Sequence, residues 1–181
     1  LVLINFNLLT IILAIASIPL AFTYPLMKRY TYWPQLFLGI TFNYGLILGW
    51  VSITNDLNIV PVVFYFGAIF WTLGYDTIYG FQDIVDDEII GVKSTSIKFK
   101  KKAKDFLILC YFVLTLSLLI VDCLMKFNIY FYFSIILTVI HLFFYQIRLF
   151  NFQDTKKCLK IFRSNNTIGI LVLLNILVGK I

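Results

Sequence analysis

The sequence predicts an all-α integral membrane protein with six transmembrane helices. First, 61% of its 181 residues are hydrophobic and only 13% are charged, and a soluble domain of this size cannot bury so much apolar surface. Second, the apolar residues fall into six long runs, and only helices and closed barrels satisfy every backbone polar group in lipid. The runs do not alternate with a period of two, which favours helices over strands.

The six predicted spans follow the hydropathy of the chain, and most approach the ~20 residues that cross a bilayer. They are roughly Leu1–Phe22, Leu36–Thr54, Ile59–Tyr79, Phe106–Val121, Ile129–Tyr145 and Thr167–Val178. No repeat or linker divides the chain, so we interpret residues 1–181 as a single transmembrane domain. Because Leu1 opens within an apolar run without a methionine, we expect this domain to be incomplete at its N-terminus.

The connections between the spans alternate in charge. Of the 15 basic residues, 13 lie in the first, third and fifth connections: Lys28 and Arg29, six lysines at positions 93–104, and five residues at positions 148–163. The positive-inside rule places these connections on the cytoplasmic or matrix side. The same asymmetry accounts for the net charge of +6, so no nucleic-acid partner is expected.

Carboxylates are concentrated at the end of the third span. Five of the nine acidic residues fall within fourteen positions, namely Asp76, Asp83, Asp86, Asp87 and Glu88. Carboxylates this close repel one another, and their position beside hydrocarbon adds a desolvation cost. A divalent cation would offset both effects. Asp86 and Glu88 fit a solvated loop equally well.

A continuous helix through this region would order the acidic residues along one face. If the third helix continued past Tyr79, then Asp76, Tyr79, Asp83 and Asp87 would lie at i, i+3, i+7 and i+11. Hard oxygen ligands of this kind suit Mg²⁺, which prefers a few carboxylates together with substrate phosphates. We therefore interpret Asp83 and Asp87 as metal ligands.

A second group of candidate residues lies in the first connection. Pro25 and Pro34 are expected to end or kink helices there. Tyr24 and Lys28 are four residues apart, so one helical turn brings them to the same side. Lys28 can bind a phosphate as a point charge and a tyrosine hydroxyl can donate to its oxygens, with Arg29 as a further cation. Interfacial aromatic and snorkelling basic side chains would show the same composition.

A third element, Gly91-Val92-Lys93-Ser94-Thr95, directly follows the carboxylates. A glycine, a lysine and two hydroxyls beside a metal site would complete a cradle for an anion. The P-loop pattern is absent, so nucleotide binding is not implied.

The lysines from Lys98 to Lys104 indicate a lipid-headgroup anchor. For His141, inside the fifth span, we expect an interhelical hydrogen bond.

Together these residues resemble a known family. Tyr75-Asp-Thr-Ile-Tyr79, Gln82-Asp-Ile-Val-Asp-Asp87 and Ile90-Gly-Val-Lys-Ser-Thr95 resemble the second aspartate-rich motif of UbiA-type prenyltransferases. Tyr24-Pro-Leu-Met-Lys-Arg-Tyr-Thr-Tyr-Trp-Pro-Gln35 resembles the YxxxK element of their 4-hydroxybenzoate polyprenyltransferase branch. Ser164-Asn-Asn-Thr-Ile-Gly169 is similar to the start of the final helix in that branch. The resemblance extends over essentially the whole chain.

The resemblance implies a bundle of about nine transmembrane helices around a central cavity, of which this chain matches the last six. Two aspartate-rich motifs in such a bundle bind Mg²⁺ and a polyprenyl diphosphate. The first motif, NDxxDxxxD, is absent here, since Asn55-Asp56 lies on the opposite side and lacks the following aspartates. The family's arginine for the aromatic carboxylate is likewise expected upstream, with no counterpart in this sequence.

The function implied is transfer of a polyprenyl group to 4-hydroxybenzoate, ortho to its hydroxyl, in ubiquinone biosynthesis. The membrane would be the bacterial inner membrane or the mitochondrial inner membrane. The implied site residues are Asp83 and Asp87 for Mg²⁺, Lys28, Arg29 and Lys93 for the diphosphate, and Tyr24, Lys28, Asp76 and Tyr79 for catalysis. Because half of the metal site is absent, we expect the 181-residue chain alone to be inactive.

Other functions fit the same residues. Related UbiA-type enzymes prenylate naphthoate, homogentisate or haem, and a non-catalytic remnant would carry the same motifs. In a different class, a membrane cation transporter could use Asp76 and Asp83 as an intramembrane ion path. The partners expected for the enzyme are polyprenyl diphosphate, 4-hydroxybenzoate and the lipid bilayer, and no protein partner is inferred.

Overall fold

The computed structural model describes residues 2–180, and every regular element in that range is helical. Six helical segments are long and apolar enough to cross a membrane, which confirms the predicted fold class. The helices are α1 (Leu8–Thr23), α2 (Met27–Tyr30), α3 (Pro34–Thr54), α4 (Ile59–Tyr79), α5 (Ile84–Ile90), α6 (Thr95–Lys98), α7 (Ala103–Met125), α8 (Ile129–Val139), α9 (Ile147–Leu149) and α10 (Thr155–Lys180). Short 3₁₀ turns lie at Leu3–Asn5, Tyr24–Leu26 and Lys100–Lys102, and a π-helix covers Ile140–Gln146.

The last span is longer than hydropathy predicted, because α10 begins at Thr155 rather than near Thr167. Asp154 caps it: the carboxylate accepts from the Lys157 backbone N–H (3.0 Å), and its carbonyl accepts from Cys158 N–H (3.0 Å). The hydrogen bond from the Lys157 backbone, together with that from the Lys157 side chain, lowers the pKa of Asp154. The first turns of α10 are basic, so they are helical without being apolar, and hydropathy cannot detect them.

Helix α4 lies at the centre of the bundle. It packs against α3, α7 and α10, while α8 packs against α10 and α1 packs against α3. The largest buried side chains surround the α4–α7 contact, among them Leu73, Leu107, Tyr111 and Leu114. The six spans alternate in direction, so the C-terminal end of α4 faces the same side of the membrane as the N-terminal ends of α3, α7 and α10.

Two glycines allow α4 and α7 to approach closely. A Cβ atom at Gly67 would lie 1.9 Å from the Ser117 hydroxyl oxygen, and one at Gly74 would lie 3.0 Å from the Tyr111 ring. The Ser117 hydroxyl also donates to the Val63 carbonyl (3.1 Å). Small residues at a helix contact are typical of membrane bundles, because dispersion contacts and interhelical hydrogen bonds hold helices together there.

The fifth span changes its winding before it ends. After α8, residues Ile140–Gln146 form a π-helix that leads into α9. This segment buries Gln146, whose amide accepts from the Tyr111 hydroxyl and donates to the Asn165 side chain of α10 (3.2 Å). Such π segments are rare, and one of their effects is to point a side chain where the α-helical phase would not.

His141 differs from its prediction. Its ring Nδ1 lies 3.4 Å from Gln146 Nε2, a residue of the same π segment. The contact to another helix therefore passes through Gln146 and is not made by the histidine itself. The wider winding of the π segment accounts for this, because it brings residues five apart into contact.

We predict that Gly67→Ala destabilises the bundle by about 1–3 kcal/mol, the usual cost of forcing a methyl group into a packed interior. The added carbon has no space unless Ser117 moves and gives up its bond to Val63. Denaturant titration of the helical circular dichroism signal in mixed micelles measures the change. Gly49→Ala is the matched control, since nothing lies within 4 Å of a Cβ at Gly49. Equal stability of the two variants would contradict the close approach of α4 and α7.

Candidate functional site

The first and third connections meet on one side of the bundle. The backbone N–H of Lys93 donates to the carbonyl of Lys28 (2.8 Å), which joins the segment after the carboxylates directly to α2. The Lys93 ammonium also donates to the Tyr30 carbonyl (3.3 Å) and lies 5.7 Å from the centre of the Tyr32 ring. Elements far apart in sequence therefore form one surface at the end of α4.

A cavity of about 300 Å³ opens in this surface. Its lining consists of Tyr24, Pro25, Lys28, Pro34, Gln35, Leu38 and Asp76. Three of the residues predicted from the sequence to act in catalysis are thus brought together, from the first connection and from α4. Asp76 and Lys28 also interact electrostatically across this cavity. The arrangement places a cation, a hydroxyl and a carboxylate around one space.

The prolines act as the sequence predicted. Helix α1 ends at Thr23, a 3₁₀ turn containing Pro25 follows, and α3 begins at Pro34. A proline in the first turn of a helix costs nothing, because the N–H it lacks would have no intrahelical partner. The short helix α2 carries Lys28 back beside Tyr24, so the four-residue spacing does bring both side chains to the cavity.

The acidic segment does not continue α4, which is where the structure departs from the sequence expectation. Helix α4 ends at Tyr79, and the N–H groups of Phe81 and Gln82 donate to Ile78 (3.3 Å) and Tyr79 (2.9 Å), three residues back. The Thr77 carbonyl accepts from the Ser96 hydroxyl instead (2.8 Å). The shared face predicted for Asp76, Tyr79, Asp83 and Asp87 is therefore broken after Tyr79.

Asp83 and Asp87 nevertheless remain neighbours. Asp83 immediately precedes α5, and its carbonyl accepts from the Asp87 N–H (2.8 Å), so the two residues are one helical turn apart. Burial of its carboxylate raises the pKa of Asp87. The Lys28 ammonium opposes this rise, and the adjacent carboxylates of Asp83 and Asp86 add to it. Asp87 therefore lies within electrostatic reach of the lysine that lines the cavity.

The carboxylates of Asp83 and Asp87 are available to a ligand. Within residues 2–180, neither makes a hydrogen bond or an ion pair. No group of three or more histidine, cysteine, aspartate or glutamate side chains in that range could hold a metal ion by itself. The two aspartates thus fit a cation that completes its coordination with substrate oxygens, as Mg²⁺ does.

The remaining candidates occupy other places. Tyr79 is exposed and its ring packs at a tilt of 45° against that of Phe162 of α10, with centroids 4.7 Å apart, and it does not line the cavity. Arg29 is exposed in the last turn of α2. Glu88 forms an ion pair with Lys100 (2.8 Å) in solvent, which agrees with its alternative interpretation as part of a solvated loop.

The two hydroxyls after Lys93 serve the fold. Ser94 caps α6, accepting from the Ile97 N–H (3.3 Å), and the Thr95 hydroxyl lies 2.6 Å from that of Thr77. Both side chains are fully buried. Of the proposed anion cradle, Gly91 and Lys93 remain accessible at the surface.

Sequence reasoning did not identify Gln35. This residue lines the cavity and is almost fully buried, and its side-chain oxygen accepts from the Thr95 backbone N–H (3.0 Å). Gln35 and Ser96 therefore fasten the segment 93–96 to α3 and α4. A glutamine directly after the proline that opens a helix was the available signal, and only the fold reveals its partner.

Comparison with known proteins matches residues 1–172 to the UbiA prenyltransferase family. Mitochondrial 4-hydroxybenzoate polyprenyltransferases from Rattus norvegicus and Bos taurus are 38% and 39% identical over 181 residues, covering 99% of this chain and 48% of each relative. A 4-hydroxybenzoate geranyltransferase 2 from Lithospermum erythrorhizon is 37% identical over 183 residues, covering 99% of this chain and 59% of that relative. The chain thus spans about half the length of the curated relatives it matches. No solved structure matches it significantly.

We predict that Gln35→Leu loosens the segment 93–96, because the buried Thr95 N–H loses its acceptor at a cost of about 1–3 kcal/mol. Hydrogen exchange measured by mass spectrometry should become faster in peptides covering this segment. Gln153→Leu is the control, since Gln153 is exposed in the loop before α10. Unchanged exchange in the Gln35 variant would show that this bond does not hold the segment.

Proposed function

The chain belongs to the UbiA prenyltransferase family, and on that basis we propose that it forms the diphosphate-binding part of a 4-hydroxybenzoate polyprenyltransferase. The reaction would transfer a polyprenyl group from its diphosphate to the ring carbon ortho to the hydroxyl of 4-hydroxybenzoate. The names of the relatives support this choice of donor and acceptor. The step would belong to ubiquinone biosynthesis.

The observation that carries the proposal is the grouping of Tyr24, Lys28 and Asp76 around one cavity. Lys28 also lies within electrostatic range of Asp87, so the cavity adjoins the acidic segment. A diphosphate binds to cationic and hydroxyl donors on one side. On another side it binds to carboxylates through a shared metal ion. The structure brings both kinds of group to the end of α4.

Asp83 and Asp87 would hold Mg²⁺, since their carboxylates are unpaired and form a hard donor set one turn apart. When bound, the ion supplies positive charge to a leaving diphosphate. The repulsion between these carboxylates, which contributes to the raised pKa of Asp87, is relieved when a cation is present.

The side chains of the chain itself would assist departure of the diphosphate. As the bond between the allylic carbon and the diphosphate oxygen breaks, the Lys28 ammonium and the Tyr24 hydroxyl stabilise the charge developing on the leaving oxygen. Asp76 lines the same cavity as Lys28, and its carboxylate would attract the Lys28 ammonium. Lys93, fixed beside α2, and Arg29 add positive charge at the entrance.

The acceptor ring would attack the allylic carbon, and loss of the ring proton would restore aromaticity. The surrounding apolar helices exclude water, which would otherwise capture the carbon centre. The basic connections place this chemistry on the cytoplasmic or matrix side of a bacterial or mitochondrial inner membrane. The isoprenoid tail would extend into the hydrocarbon.

We predict that Asp83→Asn and Asp87→Asn each abolish Mg²⁺-dependent prenyl transfer, because each removes one of two carboxylate ligands. The assay uses a chimera in which residues 1–181 replace the matched segment of the Rattus norvegicus relative, and it follows incorporation of labelled prenyl diphosphate into 4-hydroxybenzoate. Asp56→Asn, on the opposite side of the membrane, is the control and should leave turnover unchanged. Full turnover in both site variants would overturn the metal assignment.

We predict that the 181-residue chain alone gives no prenylated product, since its carboxylates form one aspartate-rich motif and the resemblance implies two. The chain is reconstituted in lipid nanodiscs, and product is sought by mass spectrometry beside the chimera as positive control. Product from the chain alone would show that one aspartate-rich motif is sufficient.

A further inference from the structure

A basic surface lies on the same side of the bundle as the diphosphate cavity. Its charge comes from five lysines within seven positions, Lys98, Lys100, Lys101, Lys102 and Lys104. They lie at the start of the fourth membrane-spanning segment, and the end of the fifth lies beside them. The positive-inside rule accounts for the side on which these lysines lie, but it does not account for their grouping around cavities.

Two adjoining cavities open among these lysines. One has a volume of about 250 Å³, and its lining includes Lys101 and Lys104, which flank the start of α7, and Phe150 and Phe152, which follow α9. The other has a volume of about 510 Å³ and is lined by residues 97–102. The two cavities share two of their lysines, and among the described residues no carboxylate lines either one. Each is therefore a cationic space with apolar walls.

Most of these ammonium groups have no partner within the chain. Lys100 forms an ion pair with Glu88 of α5 (2.8 Å), and the Lys98 ammonium lies 4.4 Å from the centre of the Trp33 ring. The other three lysine side chains make neither an ion pair nor a hydrogen bond within residues 2–180. Like charges grouped in this way repel one another, so the surface favours an anion that lies between them.

The start of α7 adds to the positive potential. Ala103, its first residue, lines the smaller cavity, and no side chain caps the N-terminus of this helix. The first N–H groups of a helix lack intrahelical acceptors, and the helix dipole places about half a positive charge there. Phosphate oxygens bind at helix N-termini for both reasons. The lysines and the helix therefore favour the same kind of anion.

The face of α7 that leads from Lys104 into the membrane suits a lipid chain. Ile108 and Phe112 follow Lys104 at i+4 and i+8, so the three side chains share one face of the helix. Ile108 is 39% exposed and Phe112 is 56% exposed, so this stripe is open to hydrocarbon. A soluble anion gains nothing from such a stripe, whereas a phospholipid places its phosphate among the lysines and an acyl chain along α7.

We propose that the two lysine-lined cavities bind the phosphate of an anionic phospholipid, with an acyl chain along Ile108 and Phe112. Lys101 and Lys104 bind the phosphate oxygens beside the first N–H groups of α7. Glu88 competes with the phosphate for Lys100. This lipid site lies outside the diphosphate cavity, so it does not depend on the proposed function.

Native mass spectrometry of the 181-residue chain, released from detergent micelles, measures this binding directly. Titrations compare phosphatidylglycerol with phosphatidylcholine of the same acyl chains, so the two lipids differ only in their headgroups. Wild type should bind phosphatidylglycerol more tightly. Lys101→Gln/Lys104→Gln should weaken phosphatidylglycerol binding about thirtyfold, because each lysine near an anionic headgroup contributes about a fivefold preference. Binding of phosphatidylcholine should stay unchanged.

Two control variants separate this site from net charge and from loss of fold. Lys126→Gln/Lys180→Gln removes the same number of exposed lysines from the opposite side of the membrane, and it should bind phosphatidylglycerol as wild type does. Lys101→Arg/Lys104→Arg keeps both charges and should retain the preference for phosphatidylglycerol. A variant that had merely unfolded would lose both lipids together.

Glu88→Gln should change the affinity in the opposite direction. It removes the ion pair of Lys100, whose ammonium is then available to the phosphate. Binding of phosphatidylglycerol should therefore tighten by up to about fivefold, the contribution of one further lysine.

Four results would overturn the proposal. Equal affinity of wild type for the two lipids would show that headgroup charge is not recognised. Unchanged binding in Lys101→Gln/Lys104→Gln would remove the two central lysines from the site. An equal loss in Lys126→Gln/Lys180→Gln would show that any pair of lysines has the same effect. Displacement of phosphatidylglycerol by inorganic phosphate would make the cavities a site for a free anion.

Discussion

The end of α4 is the constraint on which the whole site depends. Its last turn would continue into the acidic segment if Phe81 donated to the Thr77 carbonyl, but the buried Ser96 hydroxyl occupies that carbonyl. Thr95, held by Gln35 and Thr77, keeps Ser96 in place. A buried polar group must be satisfied, so these few hydrogen bonds determine where the helix stops and where the carboxylates turn away. Without them, Asp83 and Asp87 would extend along the axis of α4.

The centre of the bundle supports this end. Gly67 and Gly74 let α7 approach α4 closely, and α3 and α10 pack on its other sides. Because α4 is held by three helices, the residues of its last turns have fixed directions. Asp76 points to the cavity with Lys28.

Several buried polar side chains of the spans form connected sets. Trp71, Asn165, Gln146 and Tyr111 form one set that joins four spans. A partly satisfied network of this kind would cost more than an apolar core, because lipid offers no replacement partners. The π-helical segment that carries Gln146 is the local distortion that completes the network.

Much of the fold and part of the site could be predicted from the sequence. Six spans, the prolines that bracket α2, and the meeting of Tyr24 with Lys28 all follow from hydropathy or local stereochemistry, which operate over a few residues. The third span was predicted to end at Tyr79, as α4 does, so the continuation to Asp87 considered for it does not occur, and the sixth span was predicted too short. The Ser96 hydroxyl donates to the Thr77 carbonyl near the end of α4, and the Asp154 carboxylate accepts from the Lys157 N–H at the start of α10. Hydropathy registers neither hydrogen bond.

The sequence by itself determined that the chain crosses a membrane six times, which connections share a side, and which acidic and basic residues lie at that side. These properties depend on composition and on distances along the chain. Only the tertiary structure decided that Gln35 holds Thr95, that Tyr79 faces Phe162 away from the cavity, and that Trp71 bonds to Asn165. Such contacts join residues dozens of positions apart, and they follow from how helices pack, which no local pattern encodes.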